Sequence, residues 1–365
     1  LNKTEALLYA HKTNQEVTWK FHPEVFNNID WSIKPTVSLS EMYKARAQQI
    51  RDNYDYVIVH FSGGMDSWNV IDSFLSNGIH LDEVFTRWAS VERKYKDPDP
   101  TNVDEYNLYS EYEYAVVPVL EHIQKNYPEV NIVVDDYSEG LQQDFQEDYI
   151  LFSSQYQTMS TFFRFNRKSE KETEQARHGK RIAVVYGIDK IKCQVIDGNF
   201  YAYFNDTIGG LDGDPTRNVE FFYWSPDMPQ LPVLQAHCLK EYIQNNITFT
   251  DPDRPMTGRL EYDEYREMYQ QACYSKYNIN TFQVGKALGS TVWKSDFWIA
   301  KHNPKYHEAW RWATKQFFTG IDSQYIHKVN KMPVGLRWFK SPMFLVEPNV
   351  KMPDFSWFGT NKVST

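Results

Sequence analysis

Three cysteines, Cys193, Cys238 and Cys273, are all that this chain of 365 residues contains, and no two of them form a CxxC pair. So small and scattered a set supports neither a disulfide framework nor a four-cysteine zinc site, and it suits a reducing, cytoplasmic setting. Long hydrophobic runs are lacking too. No apolar stretch approaches the roughly 20 residues that cross a bilayer, and the opening segment Leu1 to Asn14 is polar and mixed in charge, unlike an export signal. No membrane partner is expected. Nor is there an excess of positive charge: the formal net charge is -9 and the pI is near 5.6. A protein that coats nucleic acid needs a net basic surface to displace phosphate counterions. Nucleic acid is therefore not indicated as a partner, although a local basic patch stays open. Finally, neither the GxxxxGK[ST] phosphate loop nor the GxGxxG dinucleotide fingerprint occurs.

Aromatic residues, by contrast, are abundant. They make up 16% of the chain, which suits a protein with a sizeable core and aromatic-lined clefts. Strands are expected at Tyr56 to Phe61, Glu83 to Trp88, Asn131 to Asp135 and Arg181 to Tyr186, nearly continuous β-branched and aromatic runs of the kind that parallel sheets bury on both faces. Helices are expected over residues 1 to 15, from Ser40 with a serine cap, over Trp68 to Ser76, over Val103 to Tyr127 with a bend at Pro118, and over Gln230 to Ile243. The alternation is that of βαβ units in an α/β fold. Asp197-Gly198 between alternating segments signals a β-hairpin. The run from Arg164 to Lys180 is dense in charge, and its polarity predicts a mobile helix or lid. Its cations Arg164, Arg167, Lys168, Lys171, Arg177, Lys180 and Arg181 leave contact with an anionic substrate open, but the interleaved Glu170, Glu172 and Glu174 favour a solvated helix. The organisation expected is an N-terminal helical segment (1–54), an α/β domain (55–205), a linking hairpin and helix (206–250) and a helical, aromatic-rich C-terminal region (251–365).

One segment carries chemistry. Ser62-Gly63-Gly64-Met65-Asp66-Ser67 lies between the first strand and the helix after it. Small residues there let backbone amides approach an anion, and the helix N-terminus adds partial positive charge. Ser62 and Ser67 offer hydroxyl donors and Asp66 a ligand for magnesium. This SGGxDS pattern resembles the PP-loop of the ATP pyrophosphatase superfamily, and the chain looks most like its phosphoadenylyl-sulfate-reductase-like members, many of them phage-encoded.

The resemblance implies a doubly wound, five-stranded parallel sheet of the Rossmann-like PP-loop type, with ATP and Mg2+ as cofactors. It also implies cleavage of ATP to AMP and pyrophosphate through an adenylated acceptor. Carried over, it puts a second carboxylate beyond the fourth strand. Asp189 stands there as a catalytic and metal-holding candidate beside Asp66, with Lys190 to neutralise phosphate charge. Arg87, at the end of the second strand, is a further phosphate candidate.

Branches of the superfamily differ in their cysteines. No cysteine follows Cys273, as a reductase would need, and none precedes Cys193, as a glutamine-using synthetase would need. What remains is an AMP-forming, ligase-like enzyme acting on a small-molecule or nucleotide acceptor. Sulfur transfer through Cys193 and Cys273, modification of a nucleic acid, and a non-catalytic nucleotide-binding module stay open, as does an oligomer. The stretch Glu220 to Pro226 with His237 either lines an acceptor pocket or packs a core, and core packing is the simpler account. The late tryptophans Trp293, Trp298, Trp310 and Trp312 either stack bases or fill core.

Overall fold

The computed structural model describes residues 13, 15, 20–88, 112–136, 167–188, 190–204, 215–246, 258–259, 262–274, 340–352 and 354–356. The expectations for residues 1–12, Arg164, Asp189 and the four late tryptophans lie outside these residues.

Five strands form an all-parallel sheet: β1 (Tyr56–His60), β2 (Glu83–Trp88), β3 (Asn131–Asp136), β4 (Ile182–Tyr186) and β7 (Asn218–Phe221), in the order β3-β2-β1-β4-β7. The chain steps from β1 outward to β3 on one side and from β4 outward to β7 on the other. Strand order thus reverses between β1 and β4, where open α/β sheets leave a crevice at the carboxyl ends of their strands.

Alternation along each strand divides the side chains between two faces. Val57, Val59, Phe61, Val84, Ala183 and Val185 enter the larger core. With them pack helices α1 (Leu39–Asn53), α2 (Met65–Leu75), α3 (Val117–Asn126) and α5 (Gln230–Asn246). Tyr56, Ile58, Phe85, Ile182, Val184 and Tyr186 face the other way and form a smaller cluster joined by Ala176 of α4 (Glu170–Arg177).

Three helix expectations shift. The cap of α1 is Ser38, not Ser40, because the acid that closes a capping box three residues on is Glu41: its amide donates to the Ser38 hydroxyl and its carboxylate accepts from the Ser38 N–H. The break near Pro118 is a π-helical turn, Tyr112–Val116, that ends as α3 begins, leaving the proline in the first turn of α3 where its missing N–H costs little. The charge-dense segment, expected to be mobile, is tied to the sheet within residues 167–180. Ser169 caps α4 and donates to the Glu83 carboxylate at 2.9 Å, and buried Glu172 pairs with Arg217 at 2.9 Å.

A second sheet has the order β8-β10-β5-β6-β9. Its centre is the expected hairpin, β5 (Lys192–Ile196) and β6 (Asn199–Tyr203), turned by Asp197 and Gly198 at φ 50° and 71°. The C-terminal region is not only helical. Besides α6 (Tyr262–Tyr274) it supplies β8 (Gly258–Arg259), β9 (Phe344–Glu347) and β10 (Phe355–Ser356), and β9 and β10 flank the hairpin. Phe344 stacks on Trp31 at 4.4 Å between ring centroids, so residues from both ends of the described chain share the larger core. Among the described residues, no helix is long and apolar enough to cross a membrane.

Candidate functional site

The turn from β1 into α2 is held open by its own residues. Gly63 has φ +78°, a left-handed backbone that glycine adopts without strain, and a Cβ there would come within 2.8 Å of Val116 Cγ2. The π-helical turn therefore presses on the loop at a position without a side chain. Gly64 is the N-cap of α2, and no side chain caps this helix. First-turn N–H groups have no intrahelical acceptor and are left to an external one. Ser67 Oγ donates to the Gly64 carbonyl at 3.0 Å and accepts from the Ser62 N–H at 3.2 Å. The Ser62 and Ser67 hydroxyls lie 3.3 Å apart. Met65 is buried, so it can offer a ligand only its backbone.

Asp66 is the loop's one charged side chain, and it is met by three distant elements. Lys190 Nζ reaches both carboxylate oxygens at 2.6 Å, and the Tyr274 hydroxyl donates to Oδ1 at 3.0 Å. The Tyr223 hydroxyl donates to the Asp66 carbonyl at 2.7 Å while accepting from Asn69 Nδ2 at 2.9 Å. Burial pushes the Asp66 carboxyl up, but the Lys190 charge, hydrogen bonds from Lys190 and Tyr274, and the Lys192 charge outweigh it. The net shift is downward, and Asp66 stays ionised at neutral pH. Gly187 lets the end of β4 come this close: a Cβ there would stand 2.7 Å from the Asp66 carbonyl oxygen.

Of the residues expected at the site, the fold gathers Ser62 to Ser67 with Lys190. Arg87 is engaged elsewhere, donating to the Arg167 carbonyl at 3.0 Å and lying 4.7 Å over the Phe85 ring on the opposite face of the sheet from α2. On that face His60 stacks against Phe85, and burial, then the charges of Arg87 and Arg217, keep its imidazole neutral. Among the other cations of the charged run, Arg167 pairs with Asp135 and Arg181 with Asp55. His237 is buried against the Trp31 carbonyl and Phe222 lies in the core, so this stretch packs more than it lines. Tyr274 and the close approach at Gly187 have no motif to mark them, and Tyr223, which belongs to the aromatic stretch Glu220 to Pro226, joins Asp66 as they do only through the tertiary fold.

The three cysteines form no disulfide, two of them are buried, and burial holds the Cys273 thiol well above its usual range. A phosphate group fits the loop, with a glycine cradle, an uncapped helix start and two hydroxyls. A divalent cation fits less simply. Among the described residues no group of three or more His, Cys, Asp or Glu side chains gathers to hold one, and both oxygens of Asp66 already face an ammonium.

No family model matches the chain, and neither a curated protein nor a solved structure matches it.

Proposed function

We propose that the Ser62–Ser67 turn binds the phosphates of ATP and that the chain cleaves ATP between its α- and β-phosphates. AMP is then transferred to a carboxylate or carbonyl oxygen of a small-molecule or nucleotide acceptor. The fold on this reading is the Rossmann-like PP-loop type. One observation carries it: at the strand-order switch, a loop crowded to glycine at Gly63 opens onto an uncapped helix N-terminus, and an ionised aspartate and a lysine meet beside it.

The chain's own residues have distinct tasks. First-turn amides of α2 and the Ser62 hydroxyl bind phosphate oxygens, joined by the Ser67 hydroxyl once it turns from the Gly64 carbonyl, and Lys190 neutralises the charge that develops on departing pyrophosphate. Asp66, with Asp189, would hold Mg2+, which when bound spreads the negative charge of the phosphates and eases their separation. Sulfur transfer is disfavoured because thiolate is the reactive form of cysteine and burial keeps Cys273 protonated.

The test is incubation of the purified chain with α-labelled ATP, Mg2+ and pools of candidate acceptors. Labelled AMP or an AMP adduct, with pyrophosphate, is the expected product. Release of ADP and phosphate would overturn the reading, and ATP bound but unchanged in every pool would favour a nucleotide-binding module.

A further inference from the structure

The partners of the Asp66 side chain are cationic and aromatic. Lys190 Nζ lies between the two carboxylate oxygens and the face of Tyr269, whose centroid is 4.7 Å away. Tyr269 and Tyr274 both come from α6, and both are fully buried in the larger core. Tyr274 also packs near Tyr223, at 6.0 Å between ring centroids, and Tyr43, at 6.4 Å. A carboxylate in such surroundings needs a counter-charge, because an isolated buried anion is costly. An ammonium is one such charge and a divalent cation another. The ammonium here lies on both oxygens, and two cations repel, so the two compete for the carboxylate. With one described carboxylate at the loop, a magnesium ion would draw most of its remaining ligands from phosphate and water, as it commonly does.

We propose that Lys190 is the resting occupant of a divalent-cation position on Asp66, and that α6 supplies the two positioning residues, Tyr274 for the carboxylate and Tyr269 for the ammonium. This rests on the phosphate reading of the loop. Metal carried in with nucleotide displaces the ammonium from Asp66, and the lysine freed in the exchange is the cation that the phosphates then meet. The site holds a positive partner for Asp66 in both states. The C-terminal helix is therefore part of the phosphate site.

Two measurements on the full chain separate this from a structural role. In the first, Mn2+ binding to the nucleotide-free protein is followed by the paramagnetic signal of free Mn2+. Wild type is expected to bind weakly, and Lys190→Met, or Lys190→Gln if the first variant does not fold, at least about tenfold more tightly, the scale of one charged contact. Equal Mn2+ binding by wild type and variant overturns the exchange.

In the second, α,β-methylene ATP, which resists cleavage at the proposed bond, is bound at a series of Mg2+ concentrations. Tyr274→Phe and Tyr269→Leu are expected to change the Mg2+ requirement by about three- to tenfold, with Tyr269→Phe, which keeps the ring, restoring the wild-type value. An unchanged requirement in both removes α6 from the site. Failure of wild type to bind this nucleotide at any Mg2+ concentration would instead refute the phosphate reading, and the Mn2+ comparison would still decide the exchange.

Discussion

Gly63 is where backbone, packing and site meet in a single residue. A left-handed backbone costs an L-residue about 1–2 kcal/mol, and a methyl group there also meets Val116 at 2.8 Å. Gly63→Ala is therefore expected to lower the unfolding free energy by at least about 1 kcal/mol, measured by urea titration. In a Val116→Ala background the same change should cost less, because only the backbone part remains. Equal costs in the two backgrounds would mean that Val116 does not press on the loop. The turn was legible in the sequence because small residues and hydroxyls stand between a continuous β-branched run and a helical pattern. The contacts of Tyr223 and Tyr274 with Asp66 were not, since they span 157 and 208 residues of chain.

Among the elements, α4 shows how a charged helix is tied to a sheet. One oxygen of Glu83 accepts from Tyr56, Asn131 and Ser169 at 2.9–3.0 Å. Desolvation nevertheless raises the pKa of Glu83, against those hydrogen bonds, and burial likewise raises that of Glu172, against the charge of Arg217. A carboxyl with a raised pKa binds its proton more tightly in the folded chain than in the unfolded one. Its contribution is therefore fully present below the unfolded value and is lost as pH rises through the folded one. Glu83→Gln, neutral and of the same shape, should match wild type near pH 4 and exceed it in stability at pH 7. A difference that does not vary with pH would overturn this.

The anchoring was missed because the polarity of the segment was read without its partners: Glu83 and Arg217 lie on β2 and just before β7. The long strands, by contrast, were legible from uninterrupted β-branched runs. Of the second sheet only the hairpin could be read, through Asp197-Gly198, because β8 and β10 are two residues each and take their conformation from pairing.

At the scale of the whole molecule the two sheets share one core. Trp31 packs on Phe344 of β9 and also contacts Phe26 and Phe204, while Cys193 and Phe200 of the hairpin sit in the same cluster as Val57 and Val185 of the parallel sheet. Removing a buried phenylalanine side chain costs about 3–5 kcal/mol. Phe344→Ala is expected to cost about 3 kcal/mol and to lower the midpoint of a single transition seen equally by far-UV circular dichroism and tryptophan fluorescence. Two separated transitions would show that the sheets fold as independent units.

The hydrogen bond from Tyr274 to Asp66 spans 208 residues, and it gives the site an order of assembly. Contacts so distant in sequence close only after much chain entropy has been surrendered. In a chain emerging during synthesis the glycine loop comes first, Lys190 second and Tyr274 last. The site gains the tyrosine that fixes the carboxylate only when α6 arrives. Before that, Asp66 can pair with Lys190 but lacks the hydroxyl from α6.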